Sequence, residues 1–215
     1  MVKALLIVDI QNDFINGSLK VIDGLEIIKD INKVKDTYNV VILTQDSHPK
    51  NHVSFASNNN LPEFTEKKMN YKENEYTQIM WPDHCVKETY GEQFHSELNI
   101  QDTDIIVKKG ENFLIDSYSA FFDNLKLNKT DLDDILKRNN VDTIDICGLA
   151  FDYCVKYSAI DSKLLGYNTN VIYNMTRSVN PDNDQENIKL LKKFNINILK
   201  YTPCNPENCT KFVLY

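Results

Sequence analysis

Apolar residues fall along this chain in two alternating kinds of run. The first kind is short and almost unbroken. Examples are Lys3-Ala4-Leu5-Leu6-Ile7-Val8-Asp9, Val40-Val41-Ile42-Leu43-Thr44 and Asp104-Ile105-Ile106-Val107-Lys108-Lys109, followed by Thr143-Ile144-Asp145-Ile146, Asn170-Val171-Ile172-Tyr173 and Ile196-Asn197-Ile198-Leu199. Runs of this length, rich in β-branched residues, predict strands buried on both faces, the habit of parallel sheets. The second kind is spaced for a helix: residues 25–38 carry Ile27, Ile28, Ile31 and Val34 along one stripe. Further helices are predicted over 91–98, 130–138, 155–165 and 184–194. Thr130 is placed to cap the second of these, with Asp131, Asp133 and Asp134 in its favourable first turn. The alternation predicts an α/β fold, a three-layer α/β/α sandwich around a mostly parallel six-stranded sheet with right-handed crossovers.

Two stretches escape the pattern. Between Asp46 and Tyr90 regular periodicity fades, and residues 57–76 are polar and rich in asparagine, which predicts a surface insertion. The tail, 201–215, receives no element. A chain of 215 residues is expected to form one domain, 1–215, with 42% hydrophobic and 26% charged residues, ordinary for a globular protein. A net charge of −7 argues against nucleic acid as a partner and fits a small-molecule substrate. No apolar run reaches the length of a membrane span, and the start of the chain lacks a secretory signal pattern, so a cytoplasmic protein without membrane contact is expected. Homo-oligomerisation stays open. Cys85, Cys147, Cys154, Cys204 and Cys209 form an odd set with no disulfide or zinc-ribbon spacing and are taken as free thiols.

The chemistry concentrates at predicted strand ends. In Cys147-Gly148-Leu149-Ala150-Phe151-Asp152-Tyr153-Cys154-Val155, Gly148 is expected to break the strand and Cys154 to enter the first turn of a helix. Backbone N–H groups there favour negative charge, which would ease loss of the thiol proton and could receive an oxyanion. Asp9 and Lys109 close two other runs. The C-terminal ends of parallel strands share one edge, so Asp9, Lys109 and Cys154 can converge on amide hydrolysis through a thioester. Singly, each has a plainer use: a loop cap, a surface lysine, a buried space-filler. Asp46 and His48, two apart after the second strand, and His84 from the long loop are candidate ligands for zinc, iron or manganese. His52 is a candidate extra ligand or outer group.

Several segments, in order, carry a resemblance: Val8-Asp9-Ile10-Gln11-Asn12-Asp13-Phe14, Asp46-Ser47-His48-Pro49, His52-Val53-Ser54-Phe55, Trp81-Pro82-Asp83-His84-Cys85-Val86, Lys109-Gly110, Asp116-Ser117-Tyr118-Ser119-Ala120-Phe121 and Gly148 to Val155. With them the chain resembles the nicotinamidase/pyrazinamidase group of the isochorismatase-like cysteine hydrolases. The resemblance implies a catalytic triad of Asp9, Lys109 and Cys154 and one divalent metal, usually zinc, on Asp46, His48 and His84. It also implies a cis peptide before Ala150, an oxyanion hole from the backbone N–H groups of Ala150 and Cys154, and a ring pocket lined by Phe14 and Trp81. The implied activity is hydrolysis of nicotinamide to nicotinic acid and ammonia in NAD salvage. A carbamoyl or ureido amidase of the same family and a non-catalytic nicotinamide-binding protein are the alternatives. The sequence departs from the group at Ser47, often tryptophan, and at Phe151, often threonine, where a larger side chain could reach the pocket rim.

Overall fold

A computed structural model describes residues 1–202 and 211–215. In chain order the elements are β1 (Val2–Val8), α1 (Asn12–Ile15), a 3-10 turn (Gly24–Ile27) leading into α2 (Ile28–Lys35), β2 (Val40–Asp46), α3 (Ala56–Asn59), β3 (Glu66–Tyr71) and β4 (Asn74–Ile79). They continue with β5 (Ile105–Lys109), α4 (Leu132–Arg138), β6 (Val141–Leu149), a π-helical turn (Phe151–Val155), α5 (Lys156–Leu164), β7 (Asn168–Arg177), α6 (Asp184–Lys193), β8 (Asn197–Thr202) and β9 (Lys211–Leu214). Strands β5, β2, β1, β6, β7 and β8 lie side by side in that order and all run parallel. These are the six expected strands. A seventh, β9, adds antiparallel to β8 from within the tail that carried no prediction.

Side chains alternate across the sheet, and the alternation builds the layers. From β1, Ala4, Leu6 and Val8 join Leu132, Leu136, Ala159, Ile188 and Leu191 of α4, α5 and α6 on one face. Leu5 and Ile7 join Ile28, Ile31 and Val34 of α2 on the other. Both faces of the central strands are thus covered, which is why those strands read as unbroken apolar runs.

Four expectations need correction. The insertion at 57–76 is not irregular: β3 and β4 pair as an antiparallel hairpin, Glu66 opposite Ile79 through Tyr71 opposite Asn74. No helix forms over 91–98. The carbonyls of Gly91 and Gln93 instead accept from the N–H groups of Asp13 and Asn12, and the His95 N–H donates to the Ile10 carbonyl. Those three groups pair with the loop after β1 in place of helical partners. Gly148 does not end its strand; β6 runs on to Leu149. Its φ is +108°, and a Cβ there would lie 2.6 Å from the Val8 nitrogen, so glycine is required by the close approach of β1. Phe151 is not at a pocket rim: it is fully buried and packs edge-on against Tyr173, ring centroids 5.2 Å apart. Cys85, Cys147 and Cys154 are buried free thiols, while Cys204 and Cys209 lie outside the described residues. Among the described residues no helix is long and apolar enough to cross a membrane.

Candidate active site

Four neighbouring parallel strands, β5, β2, β1 and β6, end at one edge, and the segments leaving them carry Lys109, Asp46, Asp9 and Cys154. Asp46 and Lys109 are the last residues of β2 and β5 and are register partners, so their side chains rise on the same side. Asp9 follows β1 with φ of +49°, a left-handed conformation that aspartate tolerates better than most residues. Its N–H donates to the Thr44 hydroxyl, and that hydroxyl donates back to Asp9 Oδ1 at 2.7 Å. The Leu149–Ala150 peptide is cis, and the π-helical turn that follows presents Cys154.

The buried Lys109 ammonium is the hub. It donates to Asp46 Oδ1 at 2.5 Å, to the Ser117 carbonyl at 3.1 Å and to Cys154 Sγ at 3.5 Å. Asp9 Oδ2 sits 2.9 Å from the same nitrogen as a buried ion pair. That oxygen is left to accept another proton, and Asp9 and Cys154 bring ligating atoms within 4.8 Å of each other. The three expected triad residues therefore meet in space.

The charges follow from burial and neighbours. Burial lifts the Asp9 carboxyl to about 6 against the pull of Lys109. Burial also lifts Asp46, but Lys109 and His48 outweigh it and hold that carboxyl well below the ordinary range. For Lys109, burial opposes the ammonium, yet Asp46 and Asp9 keep it charged. The expectation that the turn eases loss of the Cys154 proton does not hold in the resting site. Burial pushes the thiol well above its usual value, more than Lys109 pulls it down. The sulfur needs a base, and Asp9 is beside it.

Asp46, His48 and His84 place one potential ligand atom each within 4.8 Å of one another. The His48 Nδ1 faces the Gly110 carbonyl at 2.9 Å, and the His84 Nδ1 faces the Pro82 carbonyl at 2.7 Å. A carbonyl only accepts, so both Nδ1 atoms carry a proton and Nε2 is the nitrogen of each ring that is placed to meet a ligand. The His48 Nε2 lies 3.6 Å from Asp46 Oδ2. Burial, then His48, lowers His84 to about 4, so it is neutral, as coordination requires. Against burial, Asp46 raises His48, which must give up a proton to coordinate. Gly110, at φ +71°, completes the cradle: a Cβ there would come within 2.7 Å of His48 Nδ1. The donor set fits a divalent metal. His52 groups with His48 and Asp116 rather than with Asp46 and His84, and its buried Nε2 has no protein partner.

A narrow cavity opens onto Cys154, Ala150, Asp46 and His84. Phe14 and Trp81, the two expected ring contacts, line it. So do Leu19, Tyr118, Tyr153 and Val179, an apolar slot beside the sulfur. Trp81 meets Tyr153 edge-on at 4.8 Å.

The isochorismatase domain family matches residues 3–200. The chain belongs to the isochorismatase family. It is 43% identical to the nicotinamidase of Escherichia coli over 183 residues, 83% of this chain and 84% of that protein. The yeast nicotinamidase bound to the inhibitor nicotinaldehyde superposes with a TM-score of 0.88 at 34% identity, covering 93% of this chain and 100% of that one. The pyrazinamidase of Pyrococcus horikoshii in complex with zinc gives a TM-score of 0.76 at 28% identity, over 93% and 99% of the two chains. This member of the isochorismatase family is an amide hydrolase.

Other residues of this isochorismatase-family site had no role in the sequence reading. Gln11 clamps Asp46, its Nε2 donating to the Asp46 carbonyl and its Oε1 accepting the Asp46 N–H, both at 2.8 Å. Thr44 holds Asp9. Gln11, Asp116, Tyr118 and Tyr153 lay inside the matching segments, which was the only signal for them. Ser47, at the first departure from the group, donates to Glu92 Oε1 at 2.6 Å.

Proposed function

We propose that this protein hydrolyses nicotinamide to nicotinic acid and ammonia with Cys154 as nucleophile, Asp9 as general base and acid, and Lys109 as the fixed cation between them. The observation that carries this reading is the single ammonium touching Cys154, Asp9 and Asp46 at once, beside an aromatic slot. Nicotinamidase relatives over most of the chain support the substrate.

The steps follow from the geometry. Asp9 Oδ2 takes the thiol proton, and Sγ attacks the carboxamide carbon. The oxygen of that group becomes negative and is held by the backbone N–H groups of Ala150 and Cys154, both at the cavity lining. Asp9 returns its proton to the amide nitrogen, the C–N bond breaks and ammonia leaves, forming a thioester. A water then gives a proton to Asp9 and its hydroxyl to the acyl carbon. The C–S bond breaks, the sulfur regains the proton, and nicotinic acid departs. Asp46, His48 and His84 would hold one divalent metal, zinc by donor type and by the zinc-bound relative, with iron or manganese compatible, and His52 outside the set. When bound it supplies a Lewis acid that can fix the pyridine nitrogen. We read residues 1–215 as one domain that acts in the cytoplasm in pyridine nucleotide salvage, in keeping with three free buried thiols and a net charge of −7.

Ammonia release from nicotinamide tests the reading. Turnover is expected for the native protein, with pyrazinamide also accepted. Cys154→Ala is expected to abolish it, and a chelator to abolish it reversibly. Hydrolysis confined to carbamoyl or ureido substrates, or an active Cys154→Ala, would overturn it.

A further inference from the structure

The hairpin β3–β4 braces the wall of the substrate cavity from behind through one side chain. Gln78, on β4, is fully buried although most of its hairpin is exposed. Its Nε2 shares two N–H protons among three acceptors, Asp116 Oδ2 and the Tyr118 hydroxyl, each at 3.1 Å, and the Ile79 carbonyl at 2.9 Å. Its Oε1 accepts from Asn124 Nδ2 at 3.4 Å. Asn124 closes the ring, its Oδ1 accepting the Tyr118 N–H at 2.9 Å and its own N–H donating to the Asp116 carbonyl at 2.8 Å. On the cavity side Trp81 Nε1 donates to the same Tyr118 hydroxyl at 3.1 Å.

We infer that Gln78 is a positioning residue for substrate binding: it fixes the Tyr118 ring, and through it the aromatic wall, so that an insertion on the surface sets the grip on the substrate ring. This rests on the proposed amidase reading. Two N–H donors converge on the Tyr118 oxygen, from Gln78 behind and Trp81 in front. Both of its acceptor directions are then occupied, and the ring is held at two points. Tyr118 in turn packs against Tyr153 at 5.4 Å, and Trp81 against Tyr153 at 4.8 Å. These three rings line the slot that leads to Cys154. Gln78 touches none of Cys154, Asp9 or Lys109, so its effect belongs to ring binding and not to bond cleavage. Loss of the amide leaves Tyr118 and Asp116 short of a buried donor, and the freed ring no longer presents a fixed face.

The test is a double-mutant cycle of Gln78→Leu and Tyr118→Phe, read as KM and kcat for nicotinamide beside Tm. Gln78→Leu is expected to raise KM about tenfold with kcat within about threefold of native. Adding it to Tyr118→Phe is expected to raise KM little further, because the residue acts through that hydroxyl. An unchanged KM with a lowered Tm would mean Gln78 only stiffens the hairpin, and independent, multiplying effects would mean it does not act through Tyr118. Either overturns the inference. If Gln78→Leu fails to fold, Gln78→Asn, whose amide is one methylene too short to span Asp116 and Tyr118, must give the same KM rise. A native protein that releases no ammonia would instead defeat the proposed function, and the two failures are told apart before any variant is made.

Discussion

At the scale of the residue, Lys109 shows why a buried charge must be read with all its partners. Alone in the sequence, beside Lys108, it has the look of a surface lysine; in the fold it is buried, with two carboxylates, a carbonyl and a thiol around one nitrogen. Removing one member of such a set leaves the others uncompensated, which commonly costs about 3–5 kcal/mol. Lys109→Met keeps the volume and deletes the charge. It is expected to lower unfolding free energy by roughly that amount in urea titrations with chelator present, and to reduce ammonia release by roughly a thousandfold or more. A variant of native stability would mean that Asp9 and Asp46 do not depend on the ammonium. The same residue marks what was legible from letters alone. Asp9, Asp46, Lys109 and Cys154 each close a strand or follow one, and a parallel sheet brings such ends to one edge. The hydroxyl of Thr44 and the amide of Gln11 act through hydrogen bonds to neighbours 35 positions away, which no local pattern announces.

At the scale of the element, the hairpin was illegible for a physical reason. Its turn places Lys72 and Glu73 both at positive φ, +47° and +67°. That is the conformation of a two-residue turn that normally selects Asn-Gly, and without those residues the sequence lacks the strongest short-range hairpin signal. Of the inward positions Lys67, Met69, Tyr71, Tyr76 and Gln78, the first and last are polar, which shortens the apolar alternation in each strand. Each L-residue held in the left-handed region costs roughly 1–2 kcal/mol, less for asparagine and least for glycine. Lys72→Asn with Glu73→Gly is therefore expected to stabilise the protein by about 1–2 kcal/mol, a rise in Tm of roughly 2–8 °C for a chain of this size. Thermal unfolding followed by circular dichroism checks it, and a lower Tm would mean that the turn is not strained. Because the turn lies at the far end of β4 from Gln78, KM should stay at the native value.

At the scale of the whole molecule, the proposed metal set would tie ion binding to stability, because the candidate ligands come from distant parts of the fold. Asp46 ends β2, His48 follows it, and His84 arrives from the loop beyond the hairpin, held by the Pro82 carbonyl. Only the folded chain brings the three together, so a bound divalent ion must favour folding by linkage. At free zinc about a hundred times its dissociation constant, the gain is about 2.7 kcal/mol. For a chain of this length that corresponds to a rise in Tm of roughly 5–11 °C. Zinc can also bind thiols of the unfolded chain, and five cysteines make that competition real, so the shift is to be read against a control. His84→Ala is the control of choice: Asp46 also holds Lys109, whereas the described hydrogen bond of His84 is the one to Pro82. With the protein first stripped by chelator, zinc is expected to raise Tm in the native chain and to raise it far less in His84→Ala. The sign follows from preferential binding to the folded state. An equal shift in both would place the ion elsewhere, and a fall in both would mean that zinc prefers the unfolded thiols to the site formed by Asp46, His48 and His84.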